Sequence, residues 1–374
     1  MIYLDYAADT PAEEAVLQTF CETERAFPAN PNSPHPLGLA AKARLDEAAA
    51  GMAALLGVRE DEIIYTSGAT ESNNLAIKGA AQHYAKFGRH IVSTMLEHSS
   101  VDGPLQALQA QGFEVEYAPA GKDGSVDQNA LRGLLREDTI LVCVCAADSE
   151  LGVRQDTAAA AELAHALPHC LLHVDATQAV GKLPVEKDLR AADLLTFAPH
   201  KFGGLGGSGV LLKKHGVLLE PQISGGLSTT PFRSGTPPLA LIAAAQQALS
   251  LALAARGERE KAAAALNRRL RAALPRPGVV LNSPETASPY ILNISLLSAK
   301  AEAVREELGK RGVCVATKSA CCAPGTVSRP VYALTRDRRR ALSTLRISLW
   351  RQTTPEEIEE FLAQFDACLK AAAR

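Results

Sequence analysis

The chain has 374 residues, long enough for one large domain with a smaller companion. Hydrophobic residues make up 47% and charged residues 21%, the balance of a soluble globular protein, and 39 basic against 41 acidic residues leave a net charge of −2. That balance gives no general electrostatic reason to bind nucleic acid or an anionic membrane, and the eight cysteines show neither a CxxC pair nor zinc-ligand spacing, which argues against a disulfide framework or a structural metal.

The start, MIYLDYAADT, has no basic leader and places Asp5 where a secretory signal needs apolar residues, so a cytoplasmic protein is expected. Residues 1–38 are read as irregular and proline-rich, with Ala29-Asn30-Pro31-Asn32-Ser33-Pro34-His35 a loop. A helical pattern begins at Leu39 and stops at Gly57. A strand at 62–66 then feeds Ser67-Gly68-Ala69-Thr70 and a second helix. Ser and Thr at a helix start serve as ordinary caps, and the same geometry, with free N–H groups and the positive dipole end converging, also makes an anion site.

Strands at 90–94, 113–117, 140–145, 170–174 and 194–197 alternate with helices near 101–111, 128–136 and 157–167. Continuous apolar strands separated by helices predict a mostly parallel sheet covered on both faces, with functional residues at carboxyl ends of strands. Three such ends carry polar residues: Glu97-His98, Asp175-Ala176-Thr177-Gln178 and His200-Lys201. The segment 204–209, GLGGSG, satisfies G-x-G-x-x-G, but the strand-like VLLKK follows it where a dinucleotide loop requires a helix. Two Ala- and Leu-rich helices near 239–255 and 258–274 are expected to lead into a second, α+β domain, with strands near 279–282, 290–296, 313–316 and 345–349. The first of these helices is read as a core helix, not a membrane span. The predicted division is a large domain over 15–255 and a small one made of 1–14 and 256–374.

Lysine, aspartate and helix start together suit pyridoxal phosphate, which needs a Schiff-base lysine, an acidic partner for its ring nitrogen and a cradle for its phosphate. Lys201, Asp175 and SGAT supply these three. A lone buried Asp is costly unless paired, and a protonated ring nitrogen is such a partner.

Nine stretches, in order along nearly the whole chain, resemble the class V aminotransferases, and among them the cysteine desulfurases. They are LDYAADTP, NPNSPHPLG, TSGATESNNLAIKG, EH at 97–98, HVDATQAVGK, HK at 200–201, RSGTPP, SAC at 319–321 and RISLWR. The resemblance implies a fold-type-I pyridoxal-phosphate enzyme of α/β class with a seven-stranded, mostly parallel sheet. Its implied activity is conversion of L-cysteine to alanine with an enzyme persulfide for a sulfur-acceptor protein, in iron–sulfur cluster or thiolated-tRNA assembly. A lyase or aminotransferase acting on another substrate, such as selenocysteine, is the alternative.

By the same resemblance Lys201 forms the Schiff base and moves protons, Asp175 partners the ring nitrogen, Gln178 the ring oxygen, and His98 stacks on the ring and relays protons. Ala69, Thr70 and His200 hold the phosphate, joined by Thr236 from the other subunit of a homodimer. Arg346 takes the substrate carboxylate with help from Asn32, and Cys321 is the sulfur-accepting nucleophile. Either vicinal sulfur, Cys321 or Cys322, could attack; register favours Cys321. Independently of the resemblance, residues 323–330 contain two prolines and a glycine and no apolar period, predicting an exposed, mobile loop. Lys318 and Arg329 lie near it in sequence and would favour thiolate.

The chain also departs from the family pattern. Ser149 stands at an asparagine position that contacts the cofactor, Ala146 replaces a histidine, and Ala198 a phosphate-binding serine. The 227–230 loop lacks the Gln-Glu-Arg run, and Trp350 occupies a glycine position.

Overall fold

The structure is a computed structural model that describes residues 1–226, 228–318 and 325–372. Strand β1 (Ile2–Tyr3) belongs to a small lobe, and the chain then enters a large one. There β2 (Ile63–Thr66), β3 (His90–Thr94), β4 (Glu114–Ala118), β5 (Thr139–Cys145), β6 (Leu171–Asp175), β7 (Leu194–Phe197) and β8 (Gly209–Lys213) form one sheet in the order β2-β8-β7-β6-β5-β3-β4. Only β8 runs against its neighbours, so the sheet is mostly parallel, as expected. Every residue of β3, β5, β6 and β7 is buried, which is why these strands read as continuous apolar runs without alternation.

In the small lobe, β9 (Val279–Leu281), β10 (Ile291–Leu296) and β12 (Thr344–Ser348) make an antiparallel sheet with β10 in the middle. β11 (Val313–Cys314) pairs in parallel with β1, which knits the first residues of the chain into this lobe. Leu4, Leu292, Ile294, Ile347, Phe361 and Phe365 fill its core.

Two helical expectations are corrected. Residues 1–38 contain a helix, Glu14–Ala26, in which only Val16 and Thr23 are buried; its apolar residues Val16, Leu17 and Phe20 fall at helical spacing, but the prolines on either side, Pro11 and Pro28, make the segment read as irregular. The two helices expected near 239–255 and 258–274 are one, Leu239–Ala273. Gly257, which falls between the two expected ranges, has open space around it and lies mid-helix, at a cost of about 1 kcal/mol that packing outweighs. Ile242 and Leu249 of this helix pack in the large core and Leu266 and Leu270 in the small one, so it passes through the predicted 255/256 boundary unbroken. By length and composition it could cross a membrane, but half of its most apolar window is buried, and it packs along Glu14–Ala26 and Pro36–Leu56.

Candidate active site

A cavity of about 310 Å³ opens at the carboxyl ends of the central strands, where the switch in strand order places a crevice. Ala69, Thr70, His98, Ser149, Asp175, Gln178, His200, Lys201 and Arg346 all line it. Thr236 and Asn32 do not; both are exposed, and Thr236 Oγ1 accepts from Asn30 Nδ2 at 3.5 Å. Cys321 and Cys322 lie outside the described residues.

Asp175 ends β6, and its carboxylate is held from two sides: Asn73 Nδ2 donates to Oδ2 at 2.9 Å and the Thr177 N–H to Oδ1 at 3.0 Å. Asn73, fully buried, uses its second N–H on Ser100 Oγ at 2.9 Å, and Ser100 Oγ in turn lies 2.8 Å from His98 Nδ1. His98 Nδ1 also accepts the Ser100 backbone N–H, capping the helix Ser99–Gln109. Because Nδ1 accepts this N–H, a neutral His98 carries its proton on Nε2. On the other side of Asn73, His173 Nε2 is 3.0 Å from Oδ1 and must donate, which leaves His173 Nδ1 buried without a partner. Burial holds the His173 ring neutral, pushing it down to about 4.

Lys201 follows β7 in a short 3₁₀ turn, Pro199–Lys201. Its Nζ donates to the carbonyls of Ala7 at 3.1 Å and Ala8 at 2.5 Å. Thr10 ties the same segment down, donating to the His200 carbonyl at 2.7 Å and accepting the Gly203 N–H at 2.8 Å. His200 is held neutral, down to about 4, by burial first and then by Lys201 and Lys182. At the other end of the cavity the helix Ala69–Tyr84 begins directly after Gly68 with no side-chain cap, so its first N–H groups are not taken by a capping side chain. A Cβ at Gly209 would sit 2.4 Å from the Gly68 carbonyl carbon, so this glycine lets β8 run against the turn that aims the helix.

Arg346, on β12, is 1% exposed and reaches the cavity from the small lobe. Nη2 pairs with Asp5 Oδ1 at 2.7 Å and Nη1 donates to the Ser149 carbonyl at 2.9 Å, while Nε is buried without a partner among the described residues. Gln178 is held at both ends, donating from Nε2 to the Ala7 carbonyl at 2.9 Å and accepting at Oε1 from Lys182 at 3.0 Å. Beneath the floor, Glu97 accepts from Thr94 Oγ1 and the Cys145 N–H, both at 2.8 Å, and burial pushes its carboxyl up to about 7.

The arrangement suits pyridoxal phosphate. An amine, a carboxylate and the N–H-rich start of a helix face one cavity, and Thr177 Oγ1 and His200 Nδ1 in its wall are buried without partners among the described residues. Ala198 is fully buried beside this site and offers no hydroxyl.

The expectation of an exposed loop through residue 330 is corrected for its described part. Gly325 and Thr326 are exposed, but Ser328 is buried, donates to Glu150 Oε2 at 2.6 Å and caps the helix Arg329–Thr335. Pro330 fits that helix's first turn, so the proline that reads as a loop residue is a helix starter. The two cations expected to favour a thiolate are engaged: Lys318 donates to Thr326 O and Oγ1, and Arg329 pairs with Asp102. Sequence reasoning also missed Asn73, Ser100, His173, Asp5 and Lys182. All but Ser100 fall inside stretches that carry the family resemblance, so a signal was there for four of the five.

Residues 2–361 match the family model described as aminotransferase class-V. The chain is 37% identical to the cysteine desulfurase IscS of Salmonella paratyphi B, covering 96% of this chain and 90% of that protein. Among solved structures, a NifS-like protein superposes with a TM-score of 0.92 at 32% identity over 99% of both chains. A structure described as SspA in complex with cysteine matches at a TM-score of 0.81 and 27% identity, over 95% of this chain and all of that one.

Proposed function

Because the chain belongs to the class V aminotransferase family, we propose that it is a pyridoxal-phosphate-dependent cysteine desulfurase, releasing alanine from L-cysteine and keeping the sulfur as a persulfide for an acceptor protein. The observation that carries this reading is the convergence of Lys201, Asp175, the start of the helix Ala69–Tyr84 and a buried Arg346 on one cavity. The SspA structure is described in complex with cysteine, an amino acid whose carboxylate suits a cavity that Arg346 reaches.

Pyridoxal phosphate, when bound, supplies an electron sink for the carbanion left at the substrate Cα. Asp175 holds a negative charge at the cavity floor, braced by Asn73 and Thr177. The first N–H groups of the helix Ala69–Tyr84, with Thr70 and His200, take a phosphate. Ala198 leaves that cradle one hydroxyl short, a loss of about 1.5–3 kcal/mol if water does not replace it. Arg346 binds the substrate carboxylate through its fork. Lys201 moves a proton at the substrate Cα and must leave the Ala7 and Ala8 carbonyls to do so. His98, with its ring proton on Nε2, donates on the cavity side. Cys321 takes the sulfur: its thiolate bonds to the substrate sulfur, the C–S bond breaks with its electron pair left on carbon, and the remainder leaves as alanine after protonation. Thr236, exposed and outside the cavity lining of its own chain, joins the phosphate from the other subunit of a homodimer, and Asn32 assists Arg346 at the substrate carboxylate. The protein works in the cytoplasm, without nucleic acid or membrane.

The test is production of alanine and sulfide from L-cysteine with a reductant present, using wild type, Cys321→Ala and Cys322→Ala. Loss of both products in Cys321→Ala with the cofactor's visible absorption intact is expected. Unchanged turnover in Cys321→Ala moves the role to Cys322 or removes it, and a cofactor-loaded wild type that makes neither product refutes the assignment.

A further inference from the structure

Lys182 stands in the turn after β6 with its side chain almost wholly buried, at 1% exposure. Gly181 before it has φ +75°, and a Cβ there would meet Phe202 at 2.7 Å, so the backbone can turn Lys182 inward only with glycine in place. Among the described residues the amine has one hydrogen-bond partner, Gln178 Oε1 at 3.0 Å, and no carboxylate partner. The Trp350 ring, at the position where the family has glycine, lies 5.6 Å from Nζ. Burial, with Lys201 and Arg346 adding positive charge, pushes the amine down to about 7. A buried amine without a counter-charge is a poor source of stability.

Its one hydrogen bond has a directional consequence. An amide presents an acceptor at one end and donors at the other, and the two ends are nearly the same shape. With Oε1 taken by Lys182 and one Nε2 hydrogen on the Ala7 carbonyl, Gln178 keeps its second N–H for the cavity it lines. The Ala7 carbonyl holds the Nε2 end while also accepting from Lys201 Nζ, which has to move during the reaction, and Lys182 holds the Oε1 end. Lys182 lies outside that movement and donates to Oε1 whether charged or neutral.

We propose that Lys182 is a positioning residue that keeps the Gln178 amide with its N–H toward the cavity, where it would meet an anionic ring oxygen of the cofactor, and that Lys182 is buried for this orientation and not for stability. The inference rests on the cofactor assignment above.

Lys182→Met in the full chain tests it. The cofactor-free variant should melt no lower than wild type. The bound cofactor's visible band should shift, and the Kd for pyridoxal phosphate should rise about tenfold, the effect of losing one hydrogen bond to a charged oxygen. In a Gln178→Leu background the same substitution should change neither band nor affinity further. A lower melting temperature or failure to fold, a wild-type band and affinity in Lys182→Met, or additive effects in the double variant would each overturn this inference alone. A wild type that takes up no pyridoxal phosphate overturns the functional assignment and this inference together.

Discussion

Replacing Arg346 by alanine separates substrate binding from chemistry more cleanly than any other change at the site. The guanidinium is 1% exposed, and in the resting protein it spends Nη2 on Asp5 and Nη1 on the Ser149 carbonyl, keeping Nε–H buried and unpartnered. A substrate carboxylate can take that Nε–H without first breaking the ion pair. Charge-assisted hydrogen bonds contribute about 1.5–3 kcal/mol each, so losing the fork should cost about 3 kcal/mol of binding, roughly 100-fold in Kd for cysteine. Asp5 loses its ion-pair partner, but its side chain is 23% exposed and water can reach it. The stability cost should therefore fall below the roughly 3–5 kcal/mol of breaking a fully buried pair. Alanine formation against cysteine concentration, with cofactor loading checked by absorbance, should show KM rising by about two orders of magnitude while saturated turnover falls less. A KM within twofold of wild type, or a fall confined to kcat, would refute the carboxylate role.

Lys201→Ala should yield a protein without the cofactor's visible Schiff-base absorption after reconstitution, and a wild-type spectrum would exclude this lysine. Gly209→Ala forces a methyl to 2.4 Å from the Gly68 backbone and should weaken pyridoxal phosphate binding by pushing the helix start aside; unchanged affinity would mean that the turn yields freely. Glu97 carries a pH signature. Its folded carboxyl titrates near 7 against a reference of 4.5, so between these values the native state holds a proton that the unfolded chain has released. Stability must therefore fall as pH rises through that window. Urea melts of wild type and Glu97→Gln from pH 5 to 8 should show wild type losing up to about 3 kcal/mol relative to the variant. Parallel curves would contradict a buried, proton-holding Glu97.

The reacting shell was legible because each member sits where a doubly wound fold concentrates function. Asp175 ends an apolar strand, His98 and Lys201 each come four residues after one, and SGAT joins a strand to a helix. The shell behind it was not legible. Asn73 and Asn74 are adjacent and identical in type, yet one is fully buried against Asp175 while the other donates to the Thr70 carbonyl on the exposed side; helix phase alone separates them. His173 lies inside an apolar strand, where a neutral imidazole replaces an aliphatic residue without breaking the pattern. Trp350 gave the opposite difficulty. It reads as a departure from the family, and its packing against Lys182, Arg259 and Tyr290 depends on three segments far apart in sequence.

The pairing of β1 with β11 also sets an order of assembly. Leu4 bonds its backbone to Cys314 and Ser348, Asp5 is held by Arg346, and Ala7 and Ala8 close over Lys201. During synthesis the first eight residues leave the ribosome long before their partners at 313–348 exist. The sheet bearing Asp175 and Lys201 can form, with Thr10 already tied to His200 and Gly203, before β11 and β12 exist, and the cavity gains its final wall only when the two distant parts of the chain meet. Asp175 and Lys201 are therefore in place before Arg346 joins them.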